Sequence, residues 1–331
     1  MATAPRSGQR VLITGMGGQL GSLVASELEK ESWVGSIVGM DGDPPRRRLG
    51  RSEFHLVDAG DSVRTAHIIK SFDPHVLIHL AVWEPDARTS PPHAERFTRE
   101  ASQSVFGTAS DGKSLKHVVL RSGLEVYGRG GARIDIPDEA APTQPTSHYG
   151  RMLVELEEFA KTAFAESRAD VTALRLAPVV GPHVPSPLGR LLRLPFVPFN
   201  VLKPPMFSVI HEIDAARAFV LAAQRTIGHP INIVGDGAIS GFSVVKRSRH
   251  IPLPLIGPEW AITRRIAHLF GAPVPEHVME VLHHGRRGVS TCCAHELGWE
   301  PSMSTHEVID SLFTWEGVVR VPPKVAWDQA S

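Results

Sequence analysis

Three glycines, Gly15, Gly18 and Gly21, stand at the spacing G-x-x-G-x-x-G in the run VLITGMGGQLGS, residues 11–22. They follow a short apolar run and open an amphipathic one, the context in which this spacing predicts a dinucleotide-binding turn. The chemistry is anion recognition by main chain. Gly15 allows the tight turn, Gly18 lets a pyrophosphate approach the backbone, and Gly21 lets helix and strand pack closely. Gln19 and Leu20 put their amides at the start of the helix, where unpaired N–H groups and the helix dipole favour an anion. Asp41 closes the next apolar run, GSIVGMD. A carboxylate there accepts the hydroxyls of an adenosine ribose and repels a 2′-phosphate, so NAD is expected over NADP. The run Arg46-Arg47-Arg48 beyond it could swing onto a 2′-phosphate, although a solvated charged loop is the plainer reading. His283 and His284, in LHHGRR, are adjacent and divergent and have no partner set, so no metal site is expected.

Elements of two kinds must position these residues. Short apolar runs, RVLITG (10–15), GSIVGMD (35–41), EFHLVD (53–58), HVLIHLA (75–81), KHVVLRS (116–122) and VTALRLA (171–177), alternate with amphipathic stretches such as GRMLVELEEFAKTAFAES (150–167). Strands this apolar, separated by helices, predict a parallel sheet covered on both faces: a doubly wound, Rossmann-like α/β fold. After about residue 178 prolines crowd APVVGPHVPSPLGRLLRLPFVPFNVLKPP and HIPLPLIGPE, while the helix HEIDAARAFVLAAQ and the strand PINIVG return between them. The expected division is a dinucleotide-binding core over 9–178, a smaller cap or substrate region over 179–316 interleaved with returning core elements at 209–235, and a tail over 317–331. The arginine-studded apolar segments RLLRLPFVPF and IPLPLIGPEWAITRRIAHLFG read as a cap packed on the core, ahead of a greasy substrate pocket or a membrane-surface contact.

The chain of 331 residues is long enough for one large domain or a core with a companion. Its 35 Lys and Arg balance 35 Asp and Glu, which argues against nucleic acid or an anionic membrane as partner. The two cysteines, Cys292 and Cys293, are adjacent and cannot staple distant parts of a fold, so a reducing, cytoplasmic location is expected. MATAPRSGQR carries no apolar signal-like core, and no stretch reaches the roughly 18 uninterrupted apolar residues of a spanning helix. A small-molecule partner is the expectation.

Beside the glycine turn stand VDAGD (57–61), LIHLA (77–81), VVLRSGLEVYG (118–128), HYGRM (148–152), RLAPVVGP (175–182), INIVGDG (231–237) and HELGWEPSMSTHEVI (295–309). With these marks the chain, from about residue 9 to 315, resembles the extended short-chain dehydrogenase/reductases of the NAD-dependent epimerase/dehydratase type. That family acts largely on nucleotide sugars and has sterol-type relatives. The resemblance implies NAD as cofactor, with Asp58 meeting the adenine beside Ala59, Leu80 and Ala81 of the HLA segment lining the cofactor, and Tyr149 as acid/base. In such enzymes the helix bearing the tyrosine commonly joins a dimeric four-helix bundle, so the resemblance allows a homodimer.

Two positions depart from the family pattern. Its Tyr-x-x-x-Lys becomes Tyr149-Gly150-Arg151-Met152-Leu153, so leucine replaces the lysine that binds the nicotinamide ribose and lowers the tyrosine pKa. A unit charge about 4 Å away, at an effective dielectric of about 20, is worth roughly 4 kcal/mol, or nearly 3 pKa units. Without it Tyr149 is expected to stay near about 10, a poor base at neutral pH. In RSGLEVYG the family's substrate-facing hydroxyl falls on Gly123, while Ser122, one position off on an extended segment, points to the other face. Glu125 matches the glutamate that the dehydratase and decarboxylase branches place beside the substrate, its companions there falling on Gly123 and Leu124. Arg151 lies two residues from Tyr149 and faces elsewhere on a helix. His148, one of 17 histidines, reads as structural or surface, and His211 and Asp214 as core support.

Three functions are expected in descending order. The first is an NAD(H)-binding family member with impaired catalysis. The second is an active sugar epimerase/dehydratase or hydroxy-lipid oxidoreductase using Tyr149 and Glu125. The third is a partner- or membrane-surface-binding protein with structural NAD. Leu153→Lys, joined by Gly123→Ser, is expected to restore cofactor affinity and a lower Tyr149 pKa unless the surroundings of Leu153 have been repacked with apolar groups.

Overall fold

Val11 and Ile13 turn to one face of the first strand and Leu12 to the other, and all three are fully buried, so that strand needs cover on both sides. The computed structural model describes residues 8–86, 89–129, 136–194, 196–200, 205–248, 250–255, 274–290 and 293–314. The first half runs β1 (Gln9–Thr14), α1 (Gln19–Leu28), β2 (Val34–Asp41), β3 (Glu53–Leu56), α2 (Ser62–Phe72), β4 (Val76–His79), α3 (Pro91–Ala109), β5 (His117–Gly123), α4 (His148–Ala163) and β6 (Asp170–Leu176). The second half adds β7 (Val179–Val180), α5 (Pro187–Leu192), β8 (Phe196–Asn200), β9 (Met206–Phe207), β10 (Ile210–His211), α6 (Glu212–Gln224), β11 (Ile231–Ile233), β12 (Ile239–Ser240), α7 (Gly241–Ser248), β13 (Ile251–Leu255), α8 (Glu276–His284) and α9 (Thr305–Thr314).

Seven strands form one parallel sheet in the order β11-β6-β5-β4-β1-β2-β3. This is the doubly wound α/β fold. Leu23 and Val24 of α1 pack with Ala215 and Phe219 of α6 over Val11 and Ile13. Across the sheet, Ile68 of α2, Val105 of α3 and Met152 and Leu156 of α4 cover Leu12. The winding reverses between β1 and β4, which opens a crevice at their carboxyl ends, the place where such sheets bind ligands.

His79 ends β4 at the centre of the sheet and is fully buried. Its Nδ1 lies 2.8 Å from Thr14 Oγ1 and its Nε2 3.3 Å from Ser102 Oγ, tying β1, β4 and α3 together. Burial pushes its pKa down to about 3. In the unfolded chain a histidine takes up its proton near 6.5, whereas the folded protein refuses it until about 3. The contribution of neutral His79 is therefore complete above about 6.5 and is lost as the pH falls toward 3, by roughly 2–3 kcal/mol at pH 4.5. Urea unfolding of wild type and His79→Gln at pH 7.5 and 4.5 checks this. The gap between the two proteins should shrink by that amount, and a constant gap would mean that the ring accepts a proton without penalty.

A third cluster, including Val180, Leu191, Val197, Phe207, Val244, Val281 and Ile309, is drawn entirely from residues after 179, while α6 and β11 return to the sheet. The proline-rich stretches hold more structure than their composition suggests. β8 and β13 pair in parallel through Pro198, Pro252 and Pro254. Each such pair has two outer edges, where proline's missing N–H breaks no ladder bond. Cys292, most of the stretch 251–271 and the tail 317–331 lie outside the described residues. Among the described residues no helix is long and apolar enough to cross a membrane.

Candidate functional site

The turn after β1 is built by close backbone approaches. Gly15 adopts φ +75°, and a Cβ there would lie 2.5 Å from the Leu80 carbonyl carbon, because the chain leaving β4 passes directly beneath it. A Cβ on Gly21 would lie 2.0 Å from Gly15 O, so α1 can rest on the turn only through a glycine. Gly18 is different: a Cβ there would meet nothing closer than Gly15 O at 3.5 Å, which leaves open space over its backbone. Gly18 caps α1 without a side-chain hydrogen bond, and the first turn carries no acidic residue. The first amides of the helix, including Gln19 and Leu20, have no acceptor within the helix. The Gln19 side chain instead turns to α6, donating from Nε2 to Glu212 Oε2 at 3.1 Å.

Gly15, Asp41, Asp58, Ala59 and Ala81 line one pocket beside this turn, with Trp83 added to them. The Asp41 carboxylate accepts the Gly17 N–H at 2.9 Å and the Asp43 N–H at 3.2 Å. Burial pushes its carboxyl above the usual range despite these bonds. Gly17, which sequence reasoning passed over, is confined as tightly as its neighbours, since a Cβ would lie 2.0 Å from Asp43 O. The side chains of Arg46, Arg47 and Arg48 are exposed, and the Arg46 N–H is tied to Ser22 Oγ of α1 at 2.9 Å.

Tyr149 and Glu125 meet in a second pocket, with Glu84, Arg121, Gly123 and His277 on its polar side and Leu176, Leu188 and Val281 on its apolar side. Ser147 caps α4, its hydroxyl accepting the Gly150 N–H at 3.1 Å, and so sets Tyr149 in the first turn against β5. Alternation along β5 sends Arg121 toward the pocket and Ser122 across the sheet, where its hydroxyl donates to Glu157, the partner of Arg175. Arg121 donates to Val82 O at 3.2 Å and to Glu84 Oε2 at 3.3 Å, and its guanidinium lines the same pocket as Tyr149, where its charge acts on the phenol. His277 Nε2 donates to Glu84 Oε1 at 3.1 Å, and its ring packs 4.8 Å from that of Tyr149. Burial alone would raise Glu84, but His277 and Arg121 hold its carboxyl below the usual range.

The expectation that Tyr149 stands without a cation, near pKa 10, is corrected on both counts. Arg121, from a different element, supplies the charge. Burial of the phenol, with Glu84 and Glu125 nearby, still drives its pKa well above the ordinary value, because a phenolate there would lose its water and face two carboxylates. The space above Gly123 is also taken. A Cβ there would lie 2.3 Å from Glu125 Oε2 and 3.2 Å from Leu153 Cδ1, so Gly123→Ser would displace Glu125 instead of simply returning a hydroxyl. Glu125 is only 5% exposed, and Leu153 not at all. Behind Glu125, Arg286 Nη1 stands 3.6 Å from Oε1, and Arg286 Nη2 reaches Glu280 at 3.1 Å, which Arg129 meets at 2.9 Å.

The remaining candidates lie elsewhere. His148 stands 2.8 Å from Glu95 on α3, and Arg151 donates to Thr146 O at 3.0 Å. His211 caps α6, and the fully buried Asp214 accepts the N–H and hydroxyl of Ser302. The rings of His283 and His284 lie 4.3 Å apart, and among the described residues no three His, Cys, Asp or Glu side chains converge on a point that could hold a metal. Sequence reasoning missed Arg121, Glu84 and His277. A lone charge inside the apolar run VVLRSG was a signal for the first. Nothing local joins Glu84 to His277, which are 193 residues apart.

The model of the NAD dependent epimerase/dehydratase family matches residues 11–234. An uncharacterized protein of Mycobacterium tuberculosis is 27% identical over 330 residues, covering 96% of this chain and 86% of its own. The dTDP-L-rhamnose 4-epimerase of Burkholderia thailandensis is 23% identical, with 93% of this chain and 95% of its own covered. Among solved structures, UDP-glucose 4-epimerase from Brucella ovis in complex with NAD matches with a TM-score of 0.72 at 17% identity, over 91% of this chain and 96% of that one, a likeness of fold.

Proposed function

The chain belongs to the NAD dependent epimerase/dehydratase family, and from that premise we propose that it binds NAD(H) along the crevice at the carboxyl ends of β1 and β4, with impaired chemistry in the Tyr149 pocket. Asp41 and Asp58 serve the adenosine end, with Ala59, Leu80 and Ala81 beside it. The open backbone at Gly18 and the amides of Gln19 and Leu20 take the pyrophosphate, and Gly15 and Gly21 hold the turn that aims them. These residues fit the group: the helix end is uncapped, and the glycine that a bulky cofactor must approach is the one with free space above it. Bound NAD(H) supplies hydride exchange. The ligand in the second pocket is a small molecule, and the likeness to a dTDP-L-rhamnose 4-epimerase favours a nucleotide sugar.

Impairment rests on one observation: a completely buried leucine and the Glu125 carboxylate fill the places where the family sets its lysine and its substrate-facing hydroxyl. Removing a proton from a substrate alcohol needs tyrosinate, and burial keeps the Tyr149 proton in place. Donating a hydrogen bond or a proton to a carbonyl needs only the neutral phenol, with Arg121 behind it. The pocket is therefore suited to reduction more than to oxidation. A second reading, an active enzyme, is favoured by the His277–Glu84 pair, which puts another acid/base group against Tyr149. Dimerisation through α3 and α4 would have to use a mostly polar face, with Arg99, Gln103, Glu155 and Glu158 around Phe159.

Calorimetric titration of NAD(H) and NADP(H) into wild type and Gly18→Trp tests the cofactor side. NAD(H) should bind more tightly than NADP(H), and the tryptophan should reduce binding of both by more than about 100-fold, with the thermal midpoint unchanged. Retained affinity in Gly18→Trp would take the turn out of the site. Tighter NADP(H) binding would make the Arg46–Arg48 run the dominant contact.

A further inference from the structure

We propose that Glu212 is a built-in brake on cofactor affinity, a buried carboxylate fixed beside the phosphate-binding turn that keeps the dinucleotide exchangeable. The proposal rests on the reading of the glycine turn as a dinucleotide site. Glu212 opens α6, the helix that packs beside α1 on the same face of the sheet. It is 3% exposed, and its Oε2 accepts from Gln19 Nε2 at 3.1 Å, so the carboxylate reaches the residue that begins α1. Its stem packs closely from behind: a Cβ on Gly181 would lie 3.1 Å from both Glu212 Cγ and Cδ, so the absence of a side chain there leaves the carboxylate its place. Among the described residues no Lys, Arg or His forms a salt bridge with it. Arg193, near the same turn, spends its Nη2 on the carbonyls of Gly181 and Pro182.

The position works against the turn it touches. The start of α1 attracts a pyrophosphate through bare amides and the helix dipole, while a fixed negative charge next to Gln19 repels that same pyrophosphate. Water screens this poorly at a buried carboxylate. Two unit charges roughly 8 Å apart at an effective dielectric of about 20 change an affinity by tenfold or more. Gln19 does not cancel the charge, because an amide donates a hydrogen bond and carries no net charge. The charge therefore weakens dinucleotide binding and leaves the dinucleotide exchangeable.

Glu212→Gln removes the charge and keeps an oxygen that can accept from Gln19. Titration calorimetry with NAD, ADP and adenosine is the test. NAD and ADP, which carry a pyrophosphate, should bind the variant roughly tenfold more tightly than wild type, and adenosine should bind both proteins alike. Equal or weaker NAD binding by a variant of unchanged thermal midpoint overturns the proposal and leaves the dinucleotide site standing. Equal tightening for adenosine also overturns it, because the effect would then come from the shape of the pocket. If neither protein binds NAD, the dinucleotide reading fails and the proposal with it. Should Glu212→Gln not fold, Glu212→Met, uncharged and of similar length, carries the same comparison.

Discussion

Arg286→Met is expected to lower the stability of the fold by about 3–5 kcal/mol, because it removes the guanidinium held between two buried carboxylates. Glu125 and Glu280 are both nearly inaccessible, and Arg286 stands 3.6 Å from the first and 3.1 Å from the second. Arg129 would still meet Glu280 from the half-exposed side, whereas Glu125 would keep no cation within salt-bridge range among the described residues. The loss therefore falls mainly on Glu125. Neutralising it in Arg286→Met/Glu125→Gln should recover a large part of the stability, a non-additivity that appears only when the two groups share one desolvated site. Urea unfolding of the wild type, both single variants and the double variant closes the cycle. A loss below about 1 kcal/mol for Arg286→Met would show that water reaches the pair and that it behaves as a surface ion pair.

The second large effect is expected at Leu153, where lysine should destabilise the protein and not rescue it. The side chain is completely buried in the cluster formed by Leu120, Val126, Met152 and Leu156, and its Cδ1 closes the space above Gly123. An ammonium brought there leaves water for an apolar wall. The carboxylate that flanks the same space, Glu125, is already engaged by Arg286. Leu153→Lys should lower the thermal midpoint by roughly 10 °C, corresponding to several kcal/mol, with no gain in NAD affinity. Leu153→Met keeps the volume and apolar character and should cost less than about 1.5 kcal/mol. Adding Glu125→Gln to Leu153→Lys should deepen the loss by removing the nearest counter-charge. A Leu153→Lys protein that melts with wild type and binds NAD more tightly would show that the ammonium reaches the nicotinamide ribose, and that the pocket can repack around it.

The turn after β1 and the acid that ends β2 were legible because their requirements are local. A turn that demands φ above zero at Gly15, a helix that must touch a strand at Gly21, and an acid that ends β2 are separated by only a few residues or by one strand length, so spacing carries them. The alternation of apolar runs and amphipathic stretches likewise reports a sheet covered on both faces, because each residue's burial follows its own strand or helix period. The part of the chain after residue 179 was less legible. Its strands are two residues long or rich in proline, and their pairing depends on partners dozens of positions away.

What the sequence by itself determined about this protein is the parallel sheet, the glycine turn and the leucine and glycine that stand at positions 153 and 123. Only the tertiary structure decided what surrounds those two residues. A pKa and an ion pair are properties of distance and burial, and neither is written in residue spacing. The loss of an ammonium four residues after Tyr149 suggested an ordinary phenol, yet folding brings Arg121 into its pocket from β5, Glu84 from the loop after β4 and His277 from α8, and then buries the group. The result is a phenol held in its protonated form by desolvation and two carboxylates. Glu212, in the sequence an ordinary acid at the head of a helix, likewise comes to lie against Gln19 only because α1 and α6 pack side by side on one sheet.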